Sequence, residues 1–139
     1  MPVSSLASSC ATTAGSVSDP LISIIDDDDS LRTALIGLVR SMGFEASGFA
    51  SAEAFLATDM RAACIVTDVQ MPGLSGIELK AELIRRGVGT PVIMITARTD
   101  PGLEQRARAE GAACFLKKPF DAADLVRCIE TAIAGGPAV

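Results

Sequence analysis

The feature that most constrains the fold of this chain is a regular alternation, beginning at Leu21, between short apolar runs and longer stretches with helical periodicity. Short apolar runs are typical of buried strands, whereas apolar residues that recur every three or four positions are typical of helices packing one face on a core. Strands alternating with helices indicate repeated β-α units and a parallel sheet. Because most of the strand-like runs are apolar nearly throughout, we expect an α/β fold with helices on both faces of the sheet.

The alternation predicts five strands and five helices. Strands are expected at residues 21–25, 44–49, 64–67, 92–95 and 112–116, the second being the weakest. Helices are expected at residues 30–42, 76–86, 101–110 and 122–134, with a further short helix that begins at Ser51. Helical periodicity places Met42 and Ile84 on buried faces, and it leaves the helix at 101–110 little to bury besides Leu103. That helix should be the most loosely held.

Length and charge limit the class of protein. A chain of 139 residues, 49% of them hydrophobic, fits one folded domain, which we expect over residues 20–134. Residues 1–19 are rich in Ser, Ala and Thr and predict a flexible tail, and residues 135–139 predict a short C-terminal one. The net charge of -5 argues against binding to nucleic acid or an anionic membrane. With no secretory signal and no apolar run of transmembrane length, a cytoplasmic location is expected.

The cysteines predict no metal site. Cys10, Cys64, Cys114 and Cys128 lie far apart in the sequence, form no C-x-x-C pair and have no histidine to join them. We expect reduced thiols. The last three fall in strand or helix patterns and are expected to be small core residues.

Chemically useful side chains follow four of the predicted strands directly. Four consecutive aspartates, residues 26–29, follow the first strand, Asp68 follows the third, Thr96 the fourth, and Lys117 and Lys118 the fifth. Parallel strands joined by right-handed crossovers bring their C-terminal ends to one edge of the sheet. These carboxylates, a hydroxyl and an ammonium should therefore lie close together.

This combination of groups favours phosphoryl transfer. Clustered carboxylates repel one another and raise one another's pKa values unless a cation compensates, and hard oxygen ligands suit Mg²⁺. Asp68 would be the nucleophile, while Lys118 and Thr96 would contact the phosphoryl oxygens.

On these residues the chain resembles the receiver domain of response regulators in two-component signalling, over roughly residues 20–134. The matching positions are Asp26, Asp27, Asp68, Thr96, Lys118 with Pro119 and Phe120 after it, and Met71, Pro72 and Gly76 in the loop after Asp68. In this family the acidic pair directly follows the first strand and the lysine directly precedes proline. That rule selects Asp26 and Asp27 over Asp28 and Asp29, and Lys118 over Lys117, leaving the other aspartates to favour a helix N-terminus.

The resemblance implies a (βα)5 flavodoxin-like, doubly wound five-stranded parallel sheet in the order 2-1-3-4-5. It implies Mg²⁺ held by Asp26, Asp27, Asp68 and the backbone carbonyl of Gln70. A sensor histidine kinase or histidine phosphotransferase would supply the phosphoryl group to Asp68, and the domain would catalyse only its own modification.

The resemblance also implies a switch. Thr96 and the aromatic Phe115 would be coupled, with Phe115 passing from a more exposed to a more buried position. Phe115 is often tyrosine in the family, so its two states here would differ by packing alone. The surface of helix 4, strand 5 and helix 5 would change and could support a homodimer.

Other hypotheses remain at this point. Residues 25–30 can also be written as the apolar-D-x-D-x-S pattern of haloacid-dehalogenase-like phosphohydrolases, with Asp26 and Asp28 as the working pair. A phosphorylation-independent interaction domain with the same fold is a third possibility. Gln70 and Arg98, two residues beyond Asp68 and Thr96, either influence phosphoryl lifetime or are plain loop residues. No DNA-binding motif follows residue 134, so a stand-alone domain or the front of a longer regulator is expected.

Overall fold

Five parallel strands form the sheet in the computed structural model, which describes residues 20–97 and 101–135. The strands are β1 (Leu21–Ile25), β2 (Glu45–Phe49), β3 (Cys64–Asp68), β4 (Val92–Thr96) and β5 (Cys114–Lys117). Their order across the sheet is β2-β1-β3-β4-β5, and each neighbouring pair is parallel. The flavodoxin-like order 2-1-3-4-5 is thus confirmed. Residues 1–19, Arg98 and residues 136–139 lie outside the described residues, whereas Gly135, expected in the C-terminal tail, is the last residue of the final helix.

Five helices connect and follow these strands: α1 (Asp29–Ser41), α2 (Ala52–Leu56), α3 (Gly76–Arg85), α4 (Pro101–Ala109) and α5 (Ala122–Gly135). Polar side chains cap the first three, because the leading backbone N–H groups of a helix have no partner within it. The Asp28 and Ser51 side chains accept such N–H groups. Ser75 and Glu78 form a reciprocal capping box at α3.

Alternate residues of each strand enter one of two cores, one on each face of the sheet. On β1, Ile25 packs with residues of α2, α3 and α4, whereas Ile22 and Ile24 pack with residues of α1 and α5. Helices therefore cover both faces, as predicted. From α4 only Leu103 and Ala107 join the core among residues whose burial is described, so this helix has the small apolar contact expected of it.

Two residues predicted to be buried are exposed. Met42 is 42% exposed and Ile84 is 54% exposed. Met42 follows α1 directly and Ile84 lies in the last turn of α3. Periodicity assigns a side chain to a helix face, but it does not say whether another element covers the end of that face. Conversely, the charged Lys80 is buried in α3, and burial lowers the pKa of its ammonium group.

The prediction of reduced cysteines is wrong for one pair. Cys114, the first residue of β5, and Cys128 in α5 form a disulfide, with their Cα atoms 6.1 Å apart. They stand 14 positions apart in the sequence, and only the packing of α5 beside β5 brings them together. Cys64 is a free, fully buried thiol, as expected of a small core residue. Cys10 lies outside the described residues. None of the helices that the structure describes is long and apolar enough to cross a membrane.

Gly76, the first residue of α3, lies in close contact with the end of β3. A Cβ at this position would lie 2.8 Å from the backbone oxygen of Asp68 and 3.1 Å from Cγ2 of Thr67. Gly37, inside α1, offers a matched contrast, because a Cβ there would meet nothing within 4 Å.

We expect Gly76→Ala to lower the free energy of unfolding by about 1–3 kcal/mol, since backbone must move to admit the methyl group. Gly37→Ala should raise it by about 0.5–1 kcal/mol, because alanine loses less conformational entropy in a helix. Urea titrations of both variants and the parent measure the difference. Equal effects of the two substitutions would contradict the close approach of α3 to Asp68.

Candidate functional site

Three carboxylates meet at the C-terminal edge of the sheet. Asp68 is the last residue of β3, and Asp26 and Asp27 follow the neighbouring strand β1. One carboxylate oxygen from each lies within 4.8 Å of the other two. Asp26 and Asp68 are buried and Asp27 is exposed, so the cluster reaches solvent on the Asp27 side.

Backbone groups fix the two buried carboxylates. The Asp28 N–H donates to Oδ1 of Asp26 at 2.9 Å, and the Gln70 N–H donates to Oδ1 of Asp68 at 3.0 Å. Each bond spans two residues and uses the turn that follows the strand. The Oδ2 atoms of both carboxylates are left to face the lysine.

Lys118 supplies the positive charge of the site. Its Nζ lies 3.0 Å from Oδ2 of Asp68 and 3.9 Å from Oδ2 of Asp26. The residue follows β5 directly, and its N–H donates to the carbonyl oxygen of Thr96 at 2.7 Å. The peptide bond to Pro119 is cis. Two neighbouring strands thus fix the backbone from which the ammonium group reaches the carboxylates.

Burial and crowding raise the pKa of Asp26. The largest cause is desolvation of the charged form; the negative charges of Asp68 and Asp27 add to it, and the Asp28 N–H and the Lys118 ammonium oppose it. The sequence predicted a raised pKa from repulsion among carboxylates. In the structure repulsion contributes, but loss of water is the stronger cause.

Thr96 and Phe115 lie on adjacent strands beside this cluster. Thr96 is the last residue of β4 and is fully buried. Phe115 is 9% exposed, pairs with Met94 in the strand register, and packs in the core that contains Leu103 of α4. Because alternate residues of a strand share a face, Thr96 points to the same face as Met94 and Phe115. Of the two positions expected for Phe115, the structure has the more buried one.

The remaining acidic residues of the four-aspartate run have other partners. Asp28 accepts the N–H groups of Ser30 and Leu31 and caps α1, while Asp29 forms an exposed ion pair with Arg32. Their expected place at a helix N-terminus is confirmed. The D-x-D pattern would need the Asp28 carboxylate as a catalytic group, but that carboxylate is engaged in capping α1.

The other candidate residues are less engaged. Lys117 is exposed, and Gln70 is exposed with its N–H on Asp68. A metal contact by the Gln70 carbonyl remains a prediction.

Two supporting residues were not found from the sequence. Arg32 donates to the backbone oxygen of Asp26 at 2.6 Å, and Oε2 of Glu53 accepts the N–H of Leu74 at 3.0 Å. The second bond ties the loop after Asp68 to α2 across 21 positions. The spacing of three residues between Asp29 and Arg32 was a usable signal for the ion pair between their side chains, but not for the contact of Arg32 with Asp26. No local signal existed for the second.

The arrangement has the features of a divalent cation site next to a nucleophile. Three carboxylates converge with one side open to water, which suits Mg²⁺, a hard cation that usually keeps several water ligands. The Lys118 ammonium offers a second positive charge to an anion held at Asp68. Residues Asp26, Asp27 and Asp68 could hold the metal.

A model of the protein family described as "Response regulator receiver domain" matches residues 22–130, which is more than half of the chain. The transcriptional regulatory protein FixJ of Azorhizobium caulinodans is 42% identical over 114 residues, covering 81% of this chain and 54% of its own length. The response regulator protein TmoT of Ectopseudomonas mendocina is 36% identical over 121 residues, covering 86% and 55%. The chain spans about half the length of the curated relatives it matches.

Solved structures give the same picture. The crystal structure of FixJ-N superposes with a TM-score of 0.80 at 34% sequence identity, covering 88% of this chain and 100% of that one. The response regulator StyR superposes with a TM-score of 0.77 at 39% identity, covering 84% and 60%.

The raised pKa of Asp26 predicts a pH-dependent gain from neutralising it. Asp26→Asn should raise the free energy of unfolding at pH 7 without metal by on the order of 1 kcal/mol, because the amide oxygen can still accept the Asp28 N–H without a buried charge. As the pH falls through the raised pKa of Asp26 toward the ordinary value of 3.8, the native aspartate also becomes neutral, so the gain should shrink.

Urea titrations in a chelator at about pH 7 and pH 4 measure this gain, with the exposed Asp29→Asn as the matched control. A gain for Asp26→Asn that is the same at both pH values, or no larger than that of the control, would contradict the assignment.

Proposed function

The chain belongs to the family of response regulator receiver domains of two-component systems, and from this we propose that Asp68 accepts a phosphoryl group from a phosphohistidine donor. The donor would be a sensor histidine kinase or a histidine phosphotransferase. The observation that carries the proposal is the ammonium group of Lys118, 3.0 Å from Asp68 Oδ2 at the edge of the acidic cluster.

Asp68 is the best acceptor of the three carboxylates. Asp26 is more deeply buried, and its Oδ2 lies 3.9 Å from Lys118, whereas Asp27 has no ion-pair contact with the lysine among the described residues. In the transfer, a carboxylate oxygen of Asp68 bonds to phosphorus as the phosphorus–nitrogen bond of the donor breaks. The electron pair of that bond goes to the imidazole nitrogen, and the donor leaves as neutral histidine because its ring carries a proton on the other nitrogen. The product is an aspartyl phosphate.

Charge neutralisation is the main task of the surrounding groups. An aspartyl phosphate carries nearly two negative charges in place of the single charge of the Asp68 carboxylate, and it lies beside the carboxylates of Asp26 and Asp27. Mg²⁺, held by Asp26, Asp27, Asp68 and the Gln70 backbone carbonyl, would supply the compensating charge and align the phosphoryl oxygens. Lys118 would bind one of those oxygens, in place of its present contact with Asp68, and the Thr96 hydroxyl another.

The same residues support a switch rather than a turnover enzyme. Movement of Thr96 toward the phosphoryl group would change the face of β4 on which Phe115 packs. Phe115 shares its core with α4, whose small apolar contact offers little resistance to rearrangement. The surface formed by α4, β5 and α5 would carry the signal and could support a homodimer.

The wider setting is also proposed. The receiver domain would span residues 20–134 between two short tails and act in the cytoplasm. With a net charge of -5, the chain itself would bind neither nucleic acid nor membrane. The rival phosphohydrolase function is less well supported, because Asp28 is engaged as the cap of α1.

Phosphorylation should depend on Asp68. Asp68→Asn should keep the fold but gain no phosphoryl mass from a small phosphodonor with Mg²⁺, because an amide is a poor nucleophile. Intact mass spectrometry measures the gain, and Asp29→Asn, which alters the same charge on the same edge, should label like the parent. If Asp68→Asn labels normally while Asp26→Asn or Asp27→Asn does not, the acceptor has been assigned to the wrong carboxylate.

Metal affinity should separate Asp27 from Asp29. Asp27→Asn removes a proposed ligand and should weaken Mg²⁺ binding by about tenfold or more, while Asp29→Asn should change it little. Calorimetric titration compares the two variants, which remove equal charge only two positions apart. Equal losses would mean that general charge, rather than coordination, determines the affinity.

Signal transmission should depend on the Thr96 hydroxyl. Thr96→Ala should still accept the phosphoryl group on Asp68, yet respond weakly in residues 101–116 to a beryllofluoride phosphoryl mimic. Amide NMR measures the response, with Thr96→Ser as the control because it keeps the hydroxyl and loses only a methyl group. Shifts in Thr96→Ala as large as those in the parent would remove Thr96 from the switch.

A further inference from the structure

We propose that Cys114 and Cys128 form a thiol–disulfide exchange site that takes low-molecular-weight disulfides, and that its bond fastens α5 to β5. This inference does not rest on the proposed phosphoryl chemistry. It starts from the disulfide that joins the two residues, whose Cα atoms are 6.1 Å apart. That separation is within the range that a disulfide spans without backbone movement.

Cys114 and Cys128 are accessible to solvent, whereas Cys64, the third described cysteine, is not. Cys114 and Cys128 are half-buried, on the edge strand and on the helix beside it. Cys64 is completely buried in β3, and burial raises the pKa of its thiol to about 12, so it stays protonated and unreactive. Only the Cys114 and Cys128 pair, among the described cysteines, can meet a disulfide from solution.

The fold does not require the bond, and this distinguishes an exchange site from a structural link. Leu125, Ile129 and Ala132 bury α5 in the core that it shares with α1. β5 is held to β4 along its whole length by register pairs from Cys114 to Lys117. Reduction would therefore leave both elements in place while removing a covalent restraint between them.

The oxidant that closes the protein disulfide is a small disulfide such as oxidised glutathione. The thiolate of one cysteine attacks a sulfur of the reagent, forming a mixed disulfide and releasing one small thiol. The second cysteine, as thiolate, attacks the protein sulfur of the mixed disulfide and releases the other small thiol. The protein is oxidised by loss of two hydrogens, and the reagent is reduced to two thiols.

The disulfide lies next to residues of the switch and of the acidic site. Cys114 directly precedes Phe115, and the same strand leads to Lys118 in the acidic site. Cys128 lies one helical turn after Asp124 and one residue before the buried Ile129. Closing the bond restricts the motion of α5 relative to the strand that carries these residues.

The test uses the full chain with Cys10→Ser, which leaves three of the four cysteines. The protein is equilibrated in buffers of varied reduced and oxidised glutathione, denatured in a thiol-alkylating reagent, and weighed intact. Three labels are expected in the reducing buffers and one, on Cys64, in the oxidising buffers, with a Cys114–Cys128 linked peptide on digestion. Adding Cys114→Ser or Cys128→Ser should abolish the change to a single label.

Three results would overturn the exchange site. These are three labels in every buffer, one label in every buffer, or a lasting glutathione adduct on one cysteine without closure of the bond.

Hydrogen exchange tests the restraint separately. Amides in residues 122–135 should exchange more slowly in the oxidised than in the reduced protein, and the melting temperature should rise on the order of 10 °C on oxidation. The Cys128→Ser variant should show no dependence on the glutathione ratio. If exchange in this helix is the same in both redox states, the bond does not fasten α5 and the proposal fails.

Discussion

The ion pair between Lys118 and Asp68 is the interaction on which the functional edge of this molecule depends. Three carboxylates within 4.8 Å of one another repel, and two of them are also deprived of water. The lysine and two backbone N–H groups offset part of that cost. The raised pKa of Asp26 shows that the compensation is incomplete. A site in this condition favours the binding of a further cation.

The rest of the fold holds those charges in place. β1 and β3 lie side by side at the centre of the sheet, so the residues that follow them are necessarily neighbours. Gly76 lets α3 begin against the backbone of Asp68, and Glu53 fastens the intervening loop to α2. These contacts lie outside the acidic cluster, but they determine where its central carboxylate stands. Positioning of this kind is what lets a short motif act as a site.

The edge strand β5 is linked to other parts of the molecule at both of its ends. Its last residues lead to the lysine of the acidic site, and its first residue is bonded to α5. Phe115 lies between them and packs toward α4. The five residues from Cys114 to Lys118 thus join the disulfide, the apolar core and the charge cluster. A change at any of these three places has a short physical route to the other two, through a strand whose hydrogen bonds are shared with only one neighbour.

The sequence by itself determined the alternation of strands and helices, and with it the residues that meet at the sheet edge. Parallel strands have a fixed polarity, so Asp68 and Lys118 could be placed together although fifty positions separate them. The helix boundaries also came close, since caps such as Ser51 and Asp28 act on neighbouring residues. Only the tertiary structure decided that Ile84 is exposed, that Lys80 is buried, and that Cys114 is bonded to Cys128. Each of these features depends on how neighbouring elements pack over one another, and local periodicity carries no information about that packing.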